Sequence, residues 1–217
     1  MREVVLAGSA DTGGGESLLT RVVADHYAGD TVAQQILDAA KQQFATFGLR
    51  RSTIDDVAKR AGLSRITVYR RFSTKNNLIE ACLARECRAL LHDLDEALGE
   101  LPTMEDRVVE GFVVSMRYAR HHPLIGELLT LEPEVVLPFF TVNGGPVLAA
   151  LRAYIAEHLR KGQGARGRAE AQPEPVAELM VRIAVSFLLT PQSCVELDDA
   201  EQCRVFARRY LAPLIGC

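Results

Sequence analysis

The side chains with the clearest chemical potential lie within residues 65–75, where arginine, threonine, tyrosine and lysine recur over a few helical turns. Arg65 and Arg70 can each donate two parallel hydrogen bonds to a guanine edge or to a phosphate group. Tyr69 carries a hydroxyl group on a stiff ring that can reach a phosphate oxygen. Lys75 begins a predicted helix, where free backbone N–H groups also attract phosphate. The segment therefore predicts contacts with a nucleic acid.

Two short helices are predicted to position these side chains. The first, at 53–60, begins with the N-cap signature Thr53-Ile-Asp-Asp56, whose acids are favourable at a helix N-terminus. The second, at about 65–71, is capped by Ser64, and Gly62 allows a tight turn between the two. Two short helices joined by such a turn form a helix-turn-helix, whose second helix lies in the major groove of DNA.

The charge distribution separates this region from the rest of the chain. The formal net charge of all 217 residues is −3. Residues 30–80 contain nine Lys or Arg and five Asp or Glu, which gives +4 there and −7 for the remainder. A basic module attached to an acidic body is typical of a protein with a nucleic-acid-binding part, although chance clustering on a solvated surface gives the same count.

Composition excludes several classes of protein. Apolar residues make up 48% and charged residues 24% of the chain, which excludes a disordered chain, a collagen and a long coiled coil. No apolar stretch approaches the roughly 20 residues that a bilayer requires, so no membrane partner is predicted. The first residues form too short an apolar run for a signal peptide, and the five cysteines contain no CxxC pair. These features predict reduced thiols in a cytoplasmic protein.

The remainder of the chain is predicted to be helical. A first helix starts at the capping-box pattern Thr31-Val-Ala-Gln34 and stops at Gly48, and a long helix runs from Ser73-Thr74 to about Gly99. Pro138 is expected to kink or shorten one of the later helices. Those later helices are predicted at 104–120, 122–131, 134–142, 146–161, 175–190 and 199–214, with a solvated loop at 161–175. The predicted fold class is all-α.

Residues 1–29 differ from the rest because they are small, polar and rich in glycine. Gly8 and Gly13 fit the spacing of a phosphate-binding loop, but Gly14 stands where that loop needs its lysine. Without this cation the loop loses its main charge contact with phosphate. A flexible N-terminal arm is therefore predicted at 1–29, and no cofactor is predicted.

The motifs that follow the first helix resemble those of the TetR family of bacterial repressors. They are Phe47-Gly48, then Thr53-Ile-Asp-Asp-Val-Ala-Lys-Arg-Ala-Gly-Leu-Ser64, then Arg65-Ile-Thr-Val-Tyr-Arg-Arg-Phe-Ser-Thr-Lys-Asn-Asn-Leu78. The match covers about residues 31–78. The resemblance implies a three-helix helix-turn-helix DNA-binding domain at 30–76 and a helical ligand-binding and dimerisation domain at 77–217. It also implies a homodimer that binds a palindromic double-stranded operator and is released by a small-molecule effector.

The resemblance assigns roles to individual side chains in the helix-turn-helix. The residues that it assigns to phosphate contacts are Thr53, Tyr69 and Lys75. The residues that it assigns to base contacts are Arg65, Ile66, Thr67 and Arg70. Ser64, at the start of the second helix, is also assigned to the DNA-binding surface. The family often has Gly, Ala or Pro where Ile66 stands, and His where Arg71 stands. Arg71 is longer and always charged, so it is expected to act as a longer-reaching phosphate clamp.

The resemblance also implies how the second half of the chain works. Helices 175–190 and 199–214 would form a four-helix bundle with a second copy, and a ligand pocket would lie among helices 78–161. The candidate lining residues are Phe112, Met116, Phe139, Phe140 and Tyr154, with Asn143, His121 or Arg117 as a polar anchor. Such a lining favours an apolar or aromatic effector.

Three alternatives remain open at this point: a DNA-binding regulator without an effector, an activator, and a redox sensor that uses Cys82 and Cys87. These two thiols stand five residues apart and diverge on a helix, so they could not bridge without unwinding it. The spacing of cysteines and histidines forms no known catalytic signature, so no enzymatic activity is predicted. His121 and His122 with Glu127 suggest a metal site, but adjacent helical side chains point about 100° apart, so none is predicted.

Overall fold

The computed structural model describes residues 27, 29–142, 144–163 and 172–216. Nearly all of the predicted arm at 1–29 lies outside these residues, as do Asn143 and most of the loop at 161–175. The described part is helical and contains no strand, which confirms the all-α prediction. Its helices are α1 (Thr31–Arg51), α2 (Ile54–Ala61), α3 (Arg65–Phe72), α4 (Lys75–Leu98), α5 (Met104–His121), α6 (Ile125–Leu131), α7 (Pro133–Phe140), α8 (Gly145–Gln163), α9 (Pro173–Leu189) and α10 (Ala200–Phe206).

The start of α1 differs from the predicted capping box. Asp30, rather than Thr31, is the N-cap, and its carboxylate accepts hydrogen bonds from the N–H groups of Val32 and Ala33. A carboxylate reaches two free N–H groups at once and is also favoured by the helix dipole. The predicted stop at Gly48 is present as a kink, because its backbone leaves the helical region at φ 78° and one further short turn follows.

The two short helices form as their capping signals predict. Thr53 and Asp56 make a reciprocal capping box at the start of α2, and Ser64 accepts a hydrogen bond from the Thr67 N–H group at the start of α3. Gly62 ends α2 in the left-handed conformation (φ 65°), which allows the sharp turn into α3. Local capping signals therefore define where α2 and α3 begin and where α2 ends.

Helix α4 joins the two halves of the molecule without a break. The predicted boundary between residues 76 and 77 falls in its first turn, because Thr74 is the N-cap and Lys75 the first helical residue. The hydrophobic core also crosses this boundary. Leu124, Leu128 and Val136 of the second half are buried in the same cluster as the cores of α1, α2 and α3. The helix-turn-helix thus shares one packed interior with α6 and α7.

The later helices follow the predicted order with three changes in extent, the first being that α6 begins at Ile125 and not at 122. Helix α7 ends at Phe140, not at 142, and Pro138 lies within its last turn. Helix α10 changes type instead of continuing to 214: it passes into a π-helical turn at Ala207–Leu211 and a 3-10 turn at Ala212–Ile215. Among the described helices, none combines the length and the apolar character needed to cross a bilayer.

Candidate DNA-binding surface and effector cavity

Helix α3 has one face in the core and one face in solvent. Val68 and Phe72 are fully buried and fix the helix against α1, α2 and α4. The opposite face carries Arg65, Ile66, Tyr69 and Arg70, all exposed. The branched apolar side chain of Ile66 is 66% exposed, which is uncommon for isoleucine and suits contact with a thymine methyl group.

Arg65 is held in place by two neighbours before any partner arrives. Its guanidinium lies 3.1 Å from the Asp55 carboxylate of α2 and stacks 5.2 Å from the centre of the Tyr69 ring. The hydrogen bond to Tyr69, followed by the charge of Asp55, raises the pKa of Arg65. The side chain is therefore pre-oriented along the exposed face and stays charged.

Arg70 and Lys75 differ from Arg65 because neither has a hydrogen-bond or ion-pair partner within the described residues. Arg70 is exposed in the last turn of α3, and Lys75 is half-buried at the first position of α4. Their charges can therefore meet phosphate groups without first breaking an internal contact.

Three of the hydroxyl groups assigned to DNA are engaged in helix caps. The Thr53 hydroxyl donates to the Asp56 carboxylate at 2.6 Å, while the Ser64 and Thr67 hydroxyls lie 2.9 Å apart. The hydrogen bonds from the hydroxyl and backbone N–H groups of Thr53 lower the pKa of Asp56. A phosphate contact from Thr53 would thus have to replace Asp56, and this contact stays a prediction.

Arg71 occupies a different position from that expected of a free phosphate clamp. Its Nε lies 2.8 Å from a carboxylate oxygen of Asp30, the residue that caps α1. The pair ties the end of α3 to the start of α1. The Arg71 charge is therefore already compensated within the domain, which the sequence pattern did not indicate.

The second half of the chain encloses an apolar cavity of about 200 Å³ between α4, α5, α8 and α9. All five predicted lining residues contribute to its wall: Phe112, Met116, Phe139, Phe140 and Tyr154. Two of the predicted polar anchors do not. Arg117 and His121 are exposed and are absent from the wall, and Asn143 lies outside the described residues. That the cavity holds a ligand stays a prediction.

Several polar side chains at the cavity wall are satisfied by the protein itself. The Tyr154 hydroxyl donates to Asp95 at 2.7 Å, and His158 Nε2 lies 3.2 Å from the same carboxylate. Burial and the Asp95 carboxylate raise the pKa of Tyr154. The Tyr118 hydroxyl donates to the Glu86 carbonyl oxygen at 2.8 Å. These hydroxyl protons are directed away from the cavity, so the remaining wall is mostly hydrocarbon.

Two features connect the cavity with the DNA-binding half. Phe139 and Phe140 line the cavity and also pack against the hydrophobic cluster that contains the core of α1 to α3. The second feature is the buried carboxylate of Glu86, which lies 2.7 Å from Lys41 Nζ of α1 and 2.8 Å from His122 Nε2. The His122 ring in turn stacks on that of Tyr118 at 4.7 Å between ring centres.

The tautomer of His122 follows from its neighbours. Its Nδ1 faces the backbone N–H groups of Leu124 and Ile125 at 3.3 Å, so Nδ1 accepts and Nε2 carries the proton given to Glu86. Burial raises the pKa of Glu86, but the hydrogen bonds from His122 and Lys41 and the charge of Lys41 outweigh it and lower this pKa to about 2. Glu86 is therefore an anion at neutral pH.

The two cysteines considered for redox sensing lie in apolar surroundings. Burial raises the pKa of Cys82 to about 12 and that of Cys87 to about 11. Thiols are nucleophilic as thiolates, so both side chains are chemically quiet near neutral pH. Among the described residues, no group of His, Cys, Asp and Glu is arranged to hold a metal ion.

The helices expected to form a dimer interface expose apolar side chains. Leu179 on α9, Val205 on α10 and Tyr210 just after it are each at least half exposed. Their helices otherwise bury apolar residues against α5, in the cluster formed by Val109, Phe112, Cys203 and Ala207 among others. The exposed side chains of Leu179, Val205 and Tyr210 therefore leave apolar surface available for contact with another protein chain.

Helices α1, α2 and α3 pack into a three-helix core, and α3 presents a basic face to solvent. Together with the helical body that follows, this arrangement defines a helix-turn-helix DNA-binding protein. Residues 36–82 match the family described as bacterial regulatory proteins, tetR family. Residues 104–208 match the family described as the C-terminal domain of bacterial tetracyclin repressor. The chain belongs to the TetR family of transcriptional regulators.

Individual relatives agree with this assignment. The HTH-type transcriptional regulator Rv1255c of Mycobacterium tuberculosis is 25% identical over 187 residues, which are 86% of each chain. SrpR of Pseudomonas putida is 36% identical over 90 residues, 42% of this chain and 40% of SrpR. The crystal structure of the TetR family repressor AlkX from Dietzia sp. strain DQ12-45-1b has the same fold, with a TM-score of 0.65 and 23% identity over 85% of this chain and 95% of that chain.

Proposed function

We propose that this regulator is a homodimeric repressor that leaves a palindromic operator when a small molecule enters the cavity between α4, α5, α8 and α9. The proposal rests mainly on Phe139 and Phe140. Both residues line the cavity, and both pack against the hydrophobic cluster that contains the core of α1 to α3. A ligand that displaces these rings must also strain the packing of α1 to α3.

DNA recognition in this proposal divides between two kinds of contact. Arg65 and Ile66 meet base edges in the major groove, because both lie on the exposed face near the start of α3. Tyr69 and Lys75 hold phosphates and set the register of the helix on the duplex, while Arg70 reaches a further base edge from the last turn of α3. The internal partners of Arg65, Asp55 and Tyr69, keep its guanidinium extended before binding.

Ligand binding in the cavity changes operator affinity through the contacts between the helix-turn-helix half and the C-terminal half. Tyr118 lines the cavity, stacks on His122 and donates to the carbonyl oxygen of Glu86, whose carboxylate binds Lys41 of α1. A ligand that moves α4 or α5 alters this chain of contacts and changes the distance between the two α3 helices of a dimer. A coupling free energy of about 1–3 kcal/mol would change operator affinity by about 5–150-fold.

In this proposal, the helices predicted at 175–190 and 199–214 form the dimer interface. A two-fold symmetric dimer would in turn bind a palindromic operator. A two-fold interface presents the same patch on both copies, and Leu179, Val205 and Tyr210 supply apolar area there. Two α3 helices related by this axis would enter successive major grooves on one face of the duplex.

The chemistry of the cavity favours an apolar effector. Its polar hydroxyl groups on Tyr118 and Tyr154 are already bonded to protein partners. The similar AlkX repressor of Dietzia is described as implicated in biodegradation of n-alkanes, which are apolar compounds. A redox-sensing role has less support, because burial raises the pKa of both Cys82 and Cys87.

Selection of binding sites from random duplex DNA with the purified protein tests the proposal. We expect a palindrome whose half-sites are about 10 base pairs or a multiple of that apart, and an affinity that falls steeply with salt. The selected operator then serves in a displacement assay with apolar compounds. Failure to select any site at low salt, with protein that is folded and dimeric, would overturn the DNA-binding role assigned to α3.

A further inference from the structure

One charged side chain in the cavity wall, Arg107, has no counter-ion among the residues that the structure describes. Arg107, in the first turns of α5, contributes to the wall, and its Nε donates to the Leu101 carbonyl oxygen at 3.0 Å. Its two terminal nitrogens have no hydrogen-bond or ion-pair partner within the described ranges. The other basic side chain in the wall, His158, is paired with Asp95. Within the part of the chain that the structure describes, Arg107 is thus a cation without an ion-pair partner in a mostly apolar wall.

The guanidinium of Arg107 is also fixed in position. The bond from Nε to the loop before α5 holds the planar group, so its terminal N–H groups form a stationary pair of donors. Such a pair matches the two oxygens of a carboxylate, and the match is stronger where surrounding hydrocarbon excludes water. A neutral ligand would leave this charge uncompensated on a largely apolar wall.

The cavity wall follows α5 from Met104 to Ala119, which spans about 22 Å at 1.5 Å per helical residue. Arg107 lies near the N-terminal end of this stretch, one turn after Met104 and next to Val108. Phe139 and Phe140 of α7 also line the cavity and pack against the hydrophobic cluster of α1 to α3. The wall therefore carries a cation near one end of α5, and its remaining surface accepts hydrocarbon.

We infer that the effector is an amphipathic monocarboxylate, whose carboxylate binds Arg107 and whose hydrocarbon chain runs along α5 toward Phe139 and Phe140. This inference rests on the proposed use of the cavity as the effector site. It replaces a purely apolar effector with an amphipathic anion, whose hydrocarbon part uses the apolar wall and whose single charged end meets Arg107. A volume of about 200 Å³ accommodates a chain of medium length, since apolar cavities of ~150 Å³ already take up benzene.

Isothermal titration calorimetry with three ligands of one chain length tests the inference. The probes are decanoate, 1-decanol and decylamine, with hexanoate and tetradecanoate added to vary the chain. We expect decanoate to bind about tenfold or more tightly than decanol, and decylamine to bind most weakly, because only the carboxylate compensates Arg107. Equal affinity for the three head groups, or no binding of any carboxylate, would overturn the inference.

Variants of Arg107 separate its charge from its packing. Arg107→Gln should remove the preference for decanoate over decanol while leaving decanol binding within about twofold of wild type. Arg107→Lys, which keeps the charge, should restore part of that preference. The matched control is Arg117→Gln on the same helix, because Arg117 is exposed and absent from the cavity wall. Unchanged decanoate binding in a folded Arg107→Gln protein would contradict the assignment.

Operator binding by the same preparations distinguishes the two proposals. Protein that binds its selected operator but none of the carboxylates retains the proposed regulatory function and overturns only the ligand class. Protein that binds decanoate through Arg107 but selects no DNA retains the ligand class and overturns the proposed repressor role. Release of operator by decanoate in wild type, and not in Arg107→Gln at the same concentration, is the result expected when both are correct.

Discussion

The carboxylate of Glu132 lies 2.5 Å from the backbone nitrogen of Leu49 and thereby joins the two halves of the molecule. Glu132 stands between α6 and α7, and it also accepts a hydrogen bond from the Arg50 N–H group at 3.1 Å. These N–H groups are free because the kink at Gly48 interrupts the helical hydrogen bonds of α1. The C-terminal half therefore supplies the cap for a turn in the helix-turn-helix half.

Removal of this cap should destabilise the protein measurably. Glu132→Ala is expected to lower the free energy of unfolding by about 1–2 kcal/mol, the usual effect of losing a capping side chain. Urea denaturation at neutral pH measures the change. The matched control is Glu134→Ala, since Glu134 makes an exposed ion pair with Arg50 that should contribute less than about 1 kcal/mol. Equal effects of the two substitutions would contradict the capping role.

Gly48 provides an independent test of the same contact. Its φ of 78° is strained for any side chain, and a Cβ atom there would lie 2.5 Å from the Glu132 carboxylate oxygen. We expect Gly48→Ala to destabilise the protein and to reduce the additional effect of Glu132→Ala, because both substitutions disturb one contact. Additive effects in the double variant, measured by urea denaturation, would show that the two residues act separately.

The Glu86 network should give the protein a defined response to acid. Its pKa of about 2 lies below the ordinary value of 4.5, so the folded state holds the carboxylate as an anion more strongly than the unfolded state does. The resulting stabilisation is complete above about pH 4.5 and is lost as the pH falls toward 2. Glu86→Gln should lower the free energy of unfolding at pH 7 by about 3 kcal/mol.

Urea denaturation across this pH range provides the measurement. The difference between wild type and Glu86→Gln should narrow as the pH falls from 4.5 toward 2, because wild type loses the same charge by protonation. Glu96→Gln is the control on the same helix, since Glu96 is exposed and lies 3.5 Å from an exposed His92. A constant difference at all pH values would indicate a packing effect of Glu86 rather than an ionic one.

Local signals explain why the helix-turn-helix is predictable from the sequence. Thr53, Asp56, Ser64 and Gly62 cap or terminate α2 and α3 through contacts with residues only a few positions away. The five cavity residues are predictable as a class, because apolar and aromatic side chains recur on the helices that face one another. The predicted cap of α1 at Thr31 was wrong by one residue, because Asp30 and Thr31 are both good N-cap residues and only the backbone geometry separates them.

The contacts that join the two halves have no such local signal. Glu86 meets Lys41 across 45 residues, and Glu132 meets Leu49 across 83. The sequence does contain one hint, because Glu86 follows Cys82 at four positions on the buried face of α4 and interrupts an apolar stripe with a charge. A buried charge requires a partner, but the identity of that partner depends on tertiary packing.

Substitutions in the DNA-binding surface should separate base contacts from phosphate contacts. Arg65→Ala is expected to cost about 1–3 kcal/mol of binding free energy and to relax the base preference at one operator position. Lys75→Ala should weaken binding to all DNA sequences alike and reduce the salt dependence of binding. Binding to the selected operator and to single-base variants, measured over a salt series, distinguishes these outcomes. The reverse pattern would show that the two roles are exchanged.

The cysteines should react in an order set by burial. Cys194 is exposed, whereas burial raises the pKa of Cys82 to about 12 and that of Cys87 to about 11. We expect iodoacetamide at mild alkaline pH to modify Cys194 well before Cys82 or Cys87, as followed by mass spectrometry of peptides. Loss of operator binding under mild oxidant in wild type, but not in a Cys82→Ala, Cys87→Ala double variant, would instead support redox sensing.

The exposed apolar residues of α9 and α10 provide the test of the proposed dimer. Leu179→Glu and Val205→Glu each place a carboxylate in an interface that should exclude water, so both should shift the protein toward monomer and weaken operator binding. Val142→Glu is the control, because Val142 is 86% exposed and lies after α7, outside both helices in the sequence. Sedimentation velocity at micromolar concentration measures the oligomeric state.

The control gives this experiment its discriminating power. A general effect of adding negative charge to an apolar surface position would appear in all three variants, including Val142→Glu. Dissociation confined to Leu179→Glu and Val205→Glu would support an interface formed by both helices. Dissociation in neither, with wild type still dimeric, would move the interface elsewhere and would leave the exposed apolar side chains of α9 and α10 without a role in assembly.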